Sequence, residues 1–440
     1  MKKGKRKRRL QRRGALLASS FEIVTTECKP YRGDEMDYAK IGQFLTELRK
    51  YYKITQEDLA GRLNVSLQSV SEWENGASLP DIELLVKLSE MYGMTVNDII
   101  RADLEHIQFQ KEVHFPDAVR PIRKVFTIGC GRWGTFLAWY MDKIGHDVIL
   151  YGRETSERMK ELKATRKNEH LSIPESIRLV TSYDLCPEAD ILVISISAQQ
   201  LRDVAVQLKE MDIRDKIIVL CMKGIEIETG RRLSQVVSDE VHASNRVAVW
   251  LGPGHVQEFY RGIPNCMVID SNDESAKREL IQSFSGDLIR FYYGTDLLGN
   301  EIGAAAKNVI GIAAGMLEGR DMSSLKGALM ARGTKEISDL IVAMGGKASS
   351  AYGLCHLGDY EATLFSAHSQ NLAFGRSVVQ HKAYHKLAEG YYTVKALRNL
   401  GKAYGVELPI CEAVYQILYE NRNPDGILQM LFSRSLKNEF

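Results

Sequence analysis

Two places in this 440-residue chain have residue types and spacings suited to chemistry. The first is Gly129-Cys130-Gly131-Arg132-Trp133-Gly134, set between the apolar run Val125-Phe126-Thr127-Ile128 and the helical pattern Thr135-Phe136-Leu137-Ala138-Trp139-Tyr140-Met141. A glycine turn between a strand and a helix binds a pyrophosphate. The first glycine permits the tight turn, the second lets backbone approach the anion, and the third lets the helix pack on the strand with its N-terminus aimed at the phosphate. The second is Lys307, in the small, apolar stretch Glu301-Ile302-Gly303-Ala304-Ala305-Ala306-Lys307-Asn308-Val309-Ile310. Burying an ammonium there is costly unless it is paired or used, although a lone lysine can also snorkel to solvent. Asp147-Val148-Ile149-Leu150-Tyr151 reads as the second strand, and its tip is Gly152-Arg153-Glu154. A carboxylate at that tip suits the ribose 2′-hydroxyl of NAD, and an arginine suits the 2′-phosphate of NADP. Arg153 leans to NADP and Glu154 leaves NAD open; a solvated charge pair is the plainer alternative.

The elements that would position these residues follow from periodicity. Apolar runs at 191–196, 217–220 and 247–251 alternate with polar helical stretches, which implies a mostly parallel sheet covered on both faces. Residues 122–296 form this dinucleotide-binding domain, and 297–436 read as a largely helical substrate domain. A dinucleotide fold usually opens its own domain, so the preceding 120 or so residues belong to something else.

Residues 36–101 read as a small all-α domain of five short helices. Ile41, Phe44, Leu45 and Leu48 repeat at helical spacing, Thr55-Gln56-Glu57-Asp58 is a capping box, and Ser66 caps Leu67–Asn75, which Gly76 stops. The short link Asn64-Val65 between the second and third helices is a helix-turn-helix signature. Residues 102–121 read as a linker.

The totals suit a multidomain chain, 45% hydrophobic and 26% charged, with no apolar run near the roughly 20 residues that span a bilayer. Seven cysteines are scattered without a CxxC pair, so neither a metal site nor a disulfide framework is indicated and a reducing cytoplasm fits. Residues 1–35 carry 11 Lys/Arg against 4 Asp/Glu. That run reads as a disordered tail, or as residues ahead of a start at Met36, in preference to a nucleic-acid-binding arm.

Val65-Ser66 through Glu74-Asn75-Gly76, with Thr55-Gln56 upstream, resembles the Cro/repressor-type helix-turn-helix family. The resemblance implies that the third helix enters a major groove of double-stranded DNA, with Gln68, Ser69 and Ser71 facing base edges and Gln56 and Asn75 facing phosphates. Residues 66–76 contain no Lys or Arg, and residues 36–100 hold 6 basic and 10 acidic residues, so phosphate neutralisation is weak.

Five further blocks lie in order behind the glycine turn: Met222-Lys223-Gly224-Ile225-Glu226, Leu251-Gly252-Pro253-Gly254-His255, His356-Leu357-Gly358-Asp359 with Thr363, Ser369-Gln370-Asn371, and Pro409-Ile410-Cys411-Glu412-Ala413-Val414-Tyr415. With the Lys307 helix they resemble the bacterial NAD(P)-dependent glycerol-3-phosphate dehydrogenases over about residues 122–436. The resemblance implies a Rossmann-like domain followed by an all-α substrate domain. It implies reduction of dihydroxyacetone phosphate to sn-glycerol 3-phosphate for phospholipid synthesis, in a cytoplasmic homodimer. Lys307 would be the acid/base. Lys223, Gly252 and Asp359 would hold the substrate, with Asn308 and Thr363 supporting them. Ser369, Gln370 and Asn371 would bind its phosphate. Gly129, Gly131, Arg132, Trp133, Gly134, Arg153, Lys223, Val256 and Glu389 would hold NADP or NAD. The chain departs from the family at three places. Gln370 replaces an arginine, at a cost of about 1.5–3 kcal/mol in phosphate binding, and Arg376 is a candidate substitute. Gly254 replaces a serine or threonine. Met322-Ser323-Ser324 replaces a Gly-Asp-Asn, and the segment between Asn371 and Glu389 is short. Two other readings compete: a transcription regulator that senses NAD(P)H or a metabolite on a dehydrogenase scaffold, and a dehydrogenase for another hydroxy acid or polyol.

Overall fold

The computed structural model describes residues 37–51, 54–92, 94, 96–102, 121–169 and 171–432. The basic run 1–35, Met36 and most of 102–121 lie outside them. The chain divides into two compact units, Met1–Pro116 and Asp117–Phe440. None of the described helices is long and apolar enough to cross a membrane.

In the front unit five helices follow one another: α1 (Tyr38–Tyr51), α2 (Gln56–Leu63), α3 (Leu67–Glu74), α4 (Ile82–Tyr92) and α5 (Val96–Arg101). Thr55 and Asp58 close a capping box on α2, Asn64 ends α2 in the left-handed conformation, and Ser66 caps α3 by accepting from Ser69 N–H. Ile41, Phe44, Leu48, Leu59, Val70 and Trp73 share one buried core. The α1 and α3 helices are tied by Arg49, whose guanidinium donates to both carboxylate oxygens of Glu74 (2.5 and 2.8 Å).

The larger unit opens with an eight-stranded sheet in the order β3-β2-β1-β4-β5-β6-β7-β8. The strands are β1 (Lys124–Ile128), β2 (Asp147–Tyr151), β3 (Arg178–Val180), β4 (Ile191–Ile194), β5 (Ile217–Leu220), β6 (Arg246–Leu251), β7 (Asn265–Ser271) and β8 (Ile289–Tyr293). All neighbours pair parallel except β6 and β7. Strands β1, β4 and β5 are buried almost throughout, as a sheet covered on both faces requires. One face carries α6 (Arg132–Lys143), which follows the glycine turn and buries Phe136, Leu137 and Tyr140. Added to Gly134, a Cβ would collide with the carbonyl oxygen of Gly129. That contact between turn and helix fixes where α6 starts.

The helical part is built around α12 (Leu297–Gly319), whose residues Leu297 and 299–317 are buried. The intervening helices are α7 (Glu157–Thr165), α8 (Leu201–Glu210), α9 (Leu233–Glu240), α10 (Val256–Tyr260) and α11 (Glu274–Phe284); α13 (Lys326–Ala343), α14 (Gln370–Val379), α15 (Glu389–Tyr404), α16 (Pro409–Tyr419) and α17 (Pro424–Phe432) come after. Backbone meets backbone between α12 and α14: a Cβ on Gly315 would strike Leu372 O, and one on Gly375 would strike Ile312 O.

Gly134→Ala should destabilise the protein by about 1–3 kcal/mol by overpacking the turn, read as a lowered urea midpoint, and should weaken dinucleotide binding in the same sample.

Candidate functional site

A cleft of about 720 Å³ begins at the glycine turn and reaches α12. Every residue assigned above to the cofactor or substrate lines it, apart from Gly134, behind the turn, and Gly252, which reaches it through Lys223. At its mouth Gly129 has φ +114 and lies against Ser195. Gly131 has open space around its Cβ position, the nearest side-chain atom being Arg158 Nη1 at 3.6 Å. The turn therefore leaves the α6 N-terminus uncovered, which fits the pyrophosphate of a dinucleotide. Trp133 packs on Phe136 and Phe259. At the β2 tip Arg153 lines the cleft and Glu154 does not. Arg158 also lines it; its place in the first turn after that tip was the signal that sequence reading passed over.

At the deep end, the Nζ atoms of Lys223 and Lys307 lie 2.6 and 2.8 Å from the same oxygen, Asp359 Oδ2. Lys223 leaves the end of β5 and also donates to Gly252 O (2.7 Å). Lys307 Nζ donates to Thr363 Oγ1 (2.7 Å), and that hydroxyl donates to Asp359 O (2.6 Å). Asp359 is 1% exposed and Lys307 7%. Burial drives the Lys307 ammonium down to about 8 against the pull of Asp359, and the Lys223 charge adds to the fall.

A second set of bonds braces this centre. Asn308 Nδ2 donates to Lys223 O (3.1 Å), Asn371 Nδ2 to Asn308 Oδ1 (3.0 Å), and Gly390 N–H to Asn371 Oδ1 (3.0 Å). Next to Gly390, Glu389 Oε1 accepts from Ala198 N–H (3.3 Å), and its Oε2 is buried with no partner among the described residues. Burial raises the Glu389 pKa. A buried, partnerless carboxylate oxygen against the cleft fits a polar group of a bound cofactor. Val256, the first residue of α10, lines the same cleft.

Ser369 is the N-cap of α14 and accepts from Leu372 N–H, so Ser369, Gln370 and Asn371 lie at a helix start. Gln370 is occupied: Tyr384 Oη donates to its Oε1 (2.6 Å) and its backbone oxygen (3.0 Å). Arg376 does not stand in for the missing arginine. It pairs with Glu318 and lies outside the cleft lining. Gly254 has a steric reason, since a Cβ there would enter the Phe259 ring. His356 is a packing residue, bonded to Gly303 O and Tyr360 Oη (both 2.8 Å) and pushed down to about 4 by burial.

In the front unit Gln68, Ser71 and Asn75 share one face of α3, where Gln68 donates to Glu72 (2.9 Å) and Asn75 to Ser71 (3.3 Å). Ser69 is drawn into the cap, its N–H and hydroxyl both bonded to Ser66, and Gln56 donates to Glu74 (2.8 Å).

A Rossmann sheet whose strand ends meet a buried lysine–aspartate centre on a helical domain is the architecture of a dinucleotide-dependent dehydrogenase. Residues 124–277 match the N-terminal domain of NAD-dependent glycerol-3-phosphate dehydrogenase and residues 296–429 its C-terminal domain, while residues 45–99 match a helix-turn-helix family. The glycerol-3-phosphate dehydrogenase (NAD(P)+) of Fusobacterium nucleatum is 35% identical over 72% of this chain and 98% of its own length; that of Clostridium botulinum is 34% identical over 72% and 99%. The crystal structure of the Coxiella burnetii glycerol-3-phosphate dehydrogenase superposes with a TM-score of 0.67 at 26% identity, covering 71% of this chain and 99% of that one. The Plasmodium falciparum protein shares the fold at TM-score 0.64, 17% identity and 72% and 97% coverage. The chain belongs to the NAD(P)-dependent glycerol-3-phosphate dehydrogenase family, with a helix-turn-helix domain in front.

Asp359→Ala leaves two lysines around an empty buried position and should cost about 3–5 kcal/mol near neutral pH. Without the carboxylate the Lys307 pKa falls below about 8. The folded variant then sheds its proton where the unfolded chain keeps it, so its deficit relative to the parent should shrink as pH rises. Urea unfolding of both proteins from pH 6 to 9 checks this.

Proposed function

We propose that the chain reduces dihydroxyacetone phosphate to sn-glycerol 3-phosphate, and so feeds phospholipid synthesis. The observation that carries this reading is Lys307: buried, held by Asp359 and Thr363, and lowered to about 8 at the closed end of a dinucleotide cleft. A bound nicotinamide supplies the hydride to C2. Lys307 supplies the proton to the C2 oxygen, and its ammonium polarises the carbonyl beforehand. Its pKa favours this role, because an acid near the working pH gives up its proton readily and is still largely charged at pH 7. Asp359 and Thr363 fix Nζ in position, and Lys223, anchored on Gly252 O, holds the substrate from the other side. Asn308 and Asn371 keep Lys223 and the α14 start in register. Ser369, Gln370 and Asn371 receive the substrate phosphate at the helix start.

The cofactor role falls to Gly129, Gly131, Arg132, Trp133, Gly134, Lys223, Val256 and Glu389, with Arg153 at the adenosine end. Arg153 and Arg158 in the lining favour the 2′-phosphate of NADP over NAD. Cytoplasmic residence and a homodimer complete the reading; the six described cysteines are free thiols, which suits a reducing compartment.

The front unit is proposed to touch double-stranded DNA through Gln68, Ser71 and Asn75, with Ser69 and Gln56 beside them. Its α3 carries Glu72 and no basic residue. Anisotropy with duplex DNA should therefore give about 10⁻⁴–10⁻⁶ M at physiological salt, and Glu72→Lys should tighten it. Affinity that is tighter than this and insensitive to salt would contradict the reading.

Purified protein should oxidise NADPH with dihydroxyacetone phosphate, faster than NADH, and Lys307→Ala should lower kcat by about 10²–10⁴-fold. Because the neutral amine has no proton to give, kcat/KM for reduction should fall as pH rises through about 8, and glycerol 3-phosphate oxidation should rise over the same interval. Turnover that survives in the variant would remove Lys307 from the chemistry.

A further inference from the structure

One lysine stands where helix electrostatics disfavour it. Lys326 is the first residue of α13, and the first turn of that helix holds no acidic side chain. A cation there meets the positive end of the helix dipole. Lys326 is also only 6% exposed, so its ammonium has given up most of its water. Both costs are offset from outside α13. Nζ donates to Glu318 Oε2 (2.6 Å) and to Leu364 O (2.9 Å), and it lies 5.1 Å from the centre of the Phe365 ring. A buried charge of this kind often stabilises a fold no more than a well-packed apolar side chain would, so its value lies in what it holds in place.

What it holds is the segment that carries the bonds around Lys307. Residues Glu361–Phe365 form a single π turn, a rare backbone geometry that recurs at functional sites. Thr363 sits inside this turn, where its hydroxyl accepts from Lys307 Nζ (2.7 Å) and donates to Asp359 O (2.6 Å). The next residue is Leu364, whose carbonyl Lys326 grips. Behind Lys326, the carboxylate of Glu318 is shared: Oε2 takes Lys326 and Oε1 takes Arg376. Glu318 lies near the end of α12, which carries Lys307, and Arg376 lies on α14, whose start carries Ser369, Gln370 and Asn371. One chain of charged bonds thus joins α14, α12 and α13 to the π turn.

We propose that Lys326 is a positioning residue for the proton transfer: anchored on Glu318, it clamps the π turn through Leu364 O and so fixes the Thr363 hydroxyl against the Lys307 ammonium. This rests on the reading of Lys307 as the acid/base of a dihydroxyacetone phosphate reductase. Lys326, Glu318, Leu364 and Arg376 all lie outside the cleft lining, so the clamp acts through the turn and not by contact with either ligand. Its effect therefore falls on the chemical step, where rate depends steeply on placement, and not on binding.

Steady-state kinetics of the full chain tests it with Lys326→Met, Lys326→Arg, Arg376→Gln and the Lys326→Met/Arg376→Gln double variant. Lys326→Met should lower kcat about ten- to a hundredfold while KM for NADPH and for dihydroxyacetone phosphate moves less than about twofold. The solvent deuterium isotope effect on kcat should rise, because proton transfer becomes the slower step. Lys326→Arg, which can still donate to Glu318 and Leu364 O, should recover most of kcat. Arg376→Gln loosens Glu318 and should lower kcat in the parent but not in Lys326→Met, since both changes act through the same chain of bonds. Unchanged kcat in Lys326→Met, a loss confined to KM, or equal effects of Arg376→Gln in both backgrounds would overturn the inference. If Lys326→Met does not fold, Arg376→Gln decides alone, its side chain being 43% exposed: a lowered kcat at unchanged KM supports the clamp, and an unchanged kcat overturns it. If the parent protein turns over no dihydroxyacetone phosphate, the functional reading fails, and NMR of protein isotope-labelled at lysine Cε decides the clamp by itself. The Lys307 signal, identified by its loss in Lys307→Ala, should move in Lys326→Met and in Arg376→Gln; a signal unmoved in both overturns the inference.

Discussion

One carboxylate oxygen, Asp359 Oδ2, accepts from two ammonium groups in the protein interior, and most of the larger unit is arranged to make that possible. Two positive charges cannot share a buried position without a counter-charge, and a buried ion pair repays its desolvation only where its geometry is good. Lys223 comes from the end of a sheet strand, Lys307 from the middle of α12, and Asp359 from the turn before α14. The dinucleotide and helical parts of the chain share this centre and belong to one compact unit. The asparagine relay through Asn308 and Asn371 serves the same end by fixing the backbone at Lys223 to the helix starts beyond it.

Much of this was legible in the sequence because it is written locally. The glycine turn, the second and fifth strands and the five front helices lie where periodicity and caps place them, since each depends on neighbours within a few positions. Lys307 stood out because it interrupts an apolar helix, and the structure gives it the partner that burial demands. What stayed hidden depends on distant neighbours. Strands β7 and β8 and the reversed direction of β7 leave no period-based signal, because direction is decided by where β6 ends. The fate of Arg376 turns on Glu318, 58 positions earlier, and that of Gln370 on Tyr384, 14 positions later. Gly254 looked like a lost hydroxyl in sequence and is, in space, room for the Phe259 ring.

The front unit is built by the same rules at smaller scale. Its Arg49–Glu74–Gln56 cluster joins three helices at a half-buried point, and α3 is held from below by Val70 and Trp73. The side chains that resemblance assigns to DNA are partly spent on neighbours: Gln68 on Glu72, Asn75 on Ser71, Ser69 on the cap. Any surface that meets them has to exchange those bonds for its own, which favours a partner offering good hydrogen-bonding geometry over one offering only charge.

The close approach of α12 and α14 has a consequence for how such a protein can change over evolutionary time. At Gly315 and Gly375 the two helices touch through main chain, so no side chain there can be enlarged without separating them, and separation would carry Asn371 away from Asn308 and Lys307. Mutational drift is thereby steered away from the helix that holds the lysine and toward the cleft's rim. Side chains that line the cleft away from these contacts are the ones left free to vary, while the centre beneath stays still.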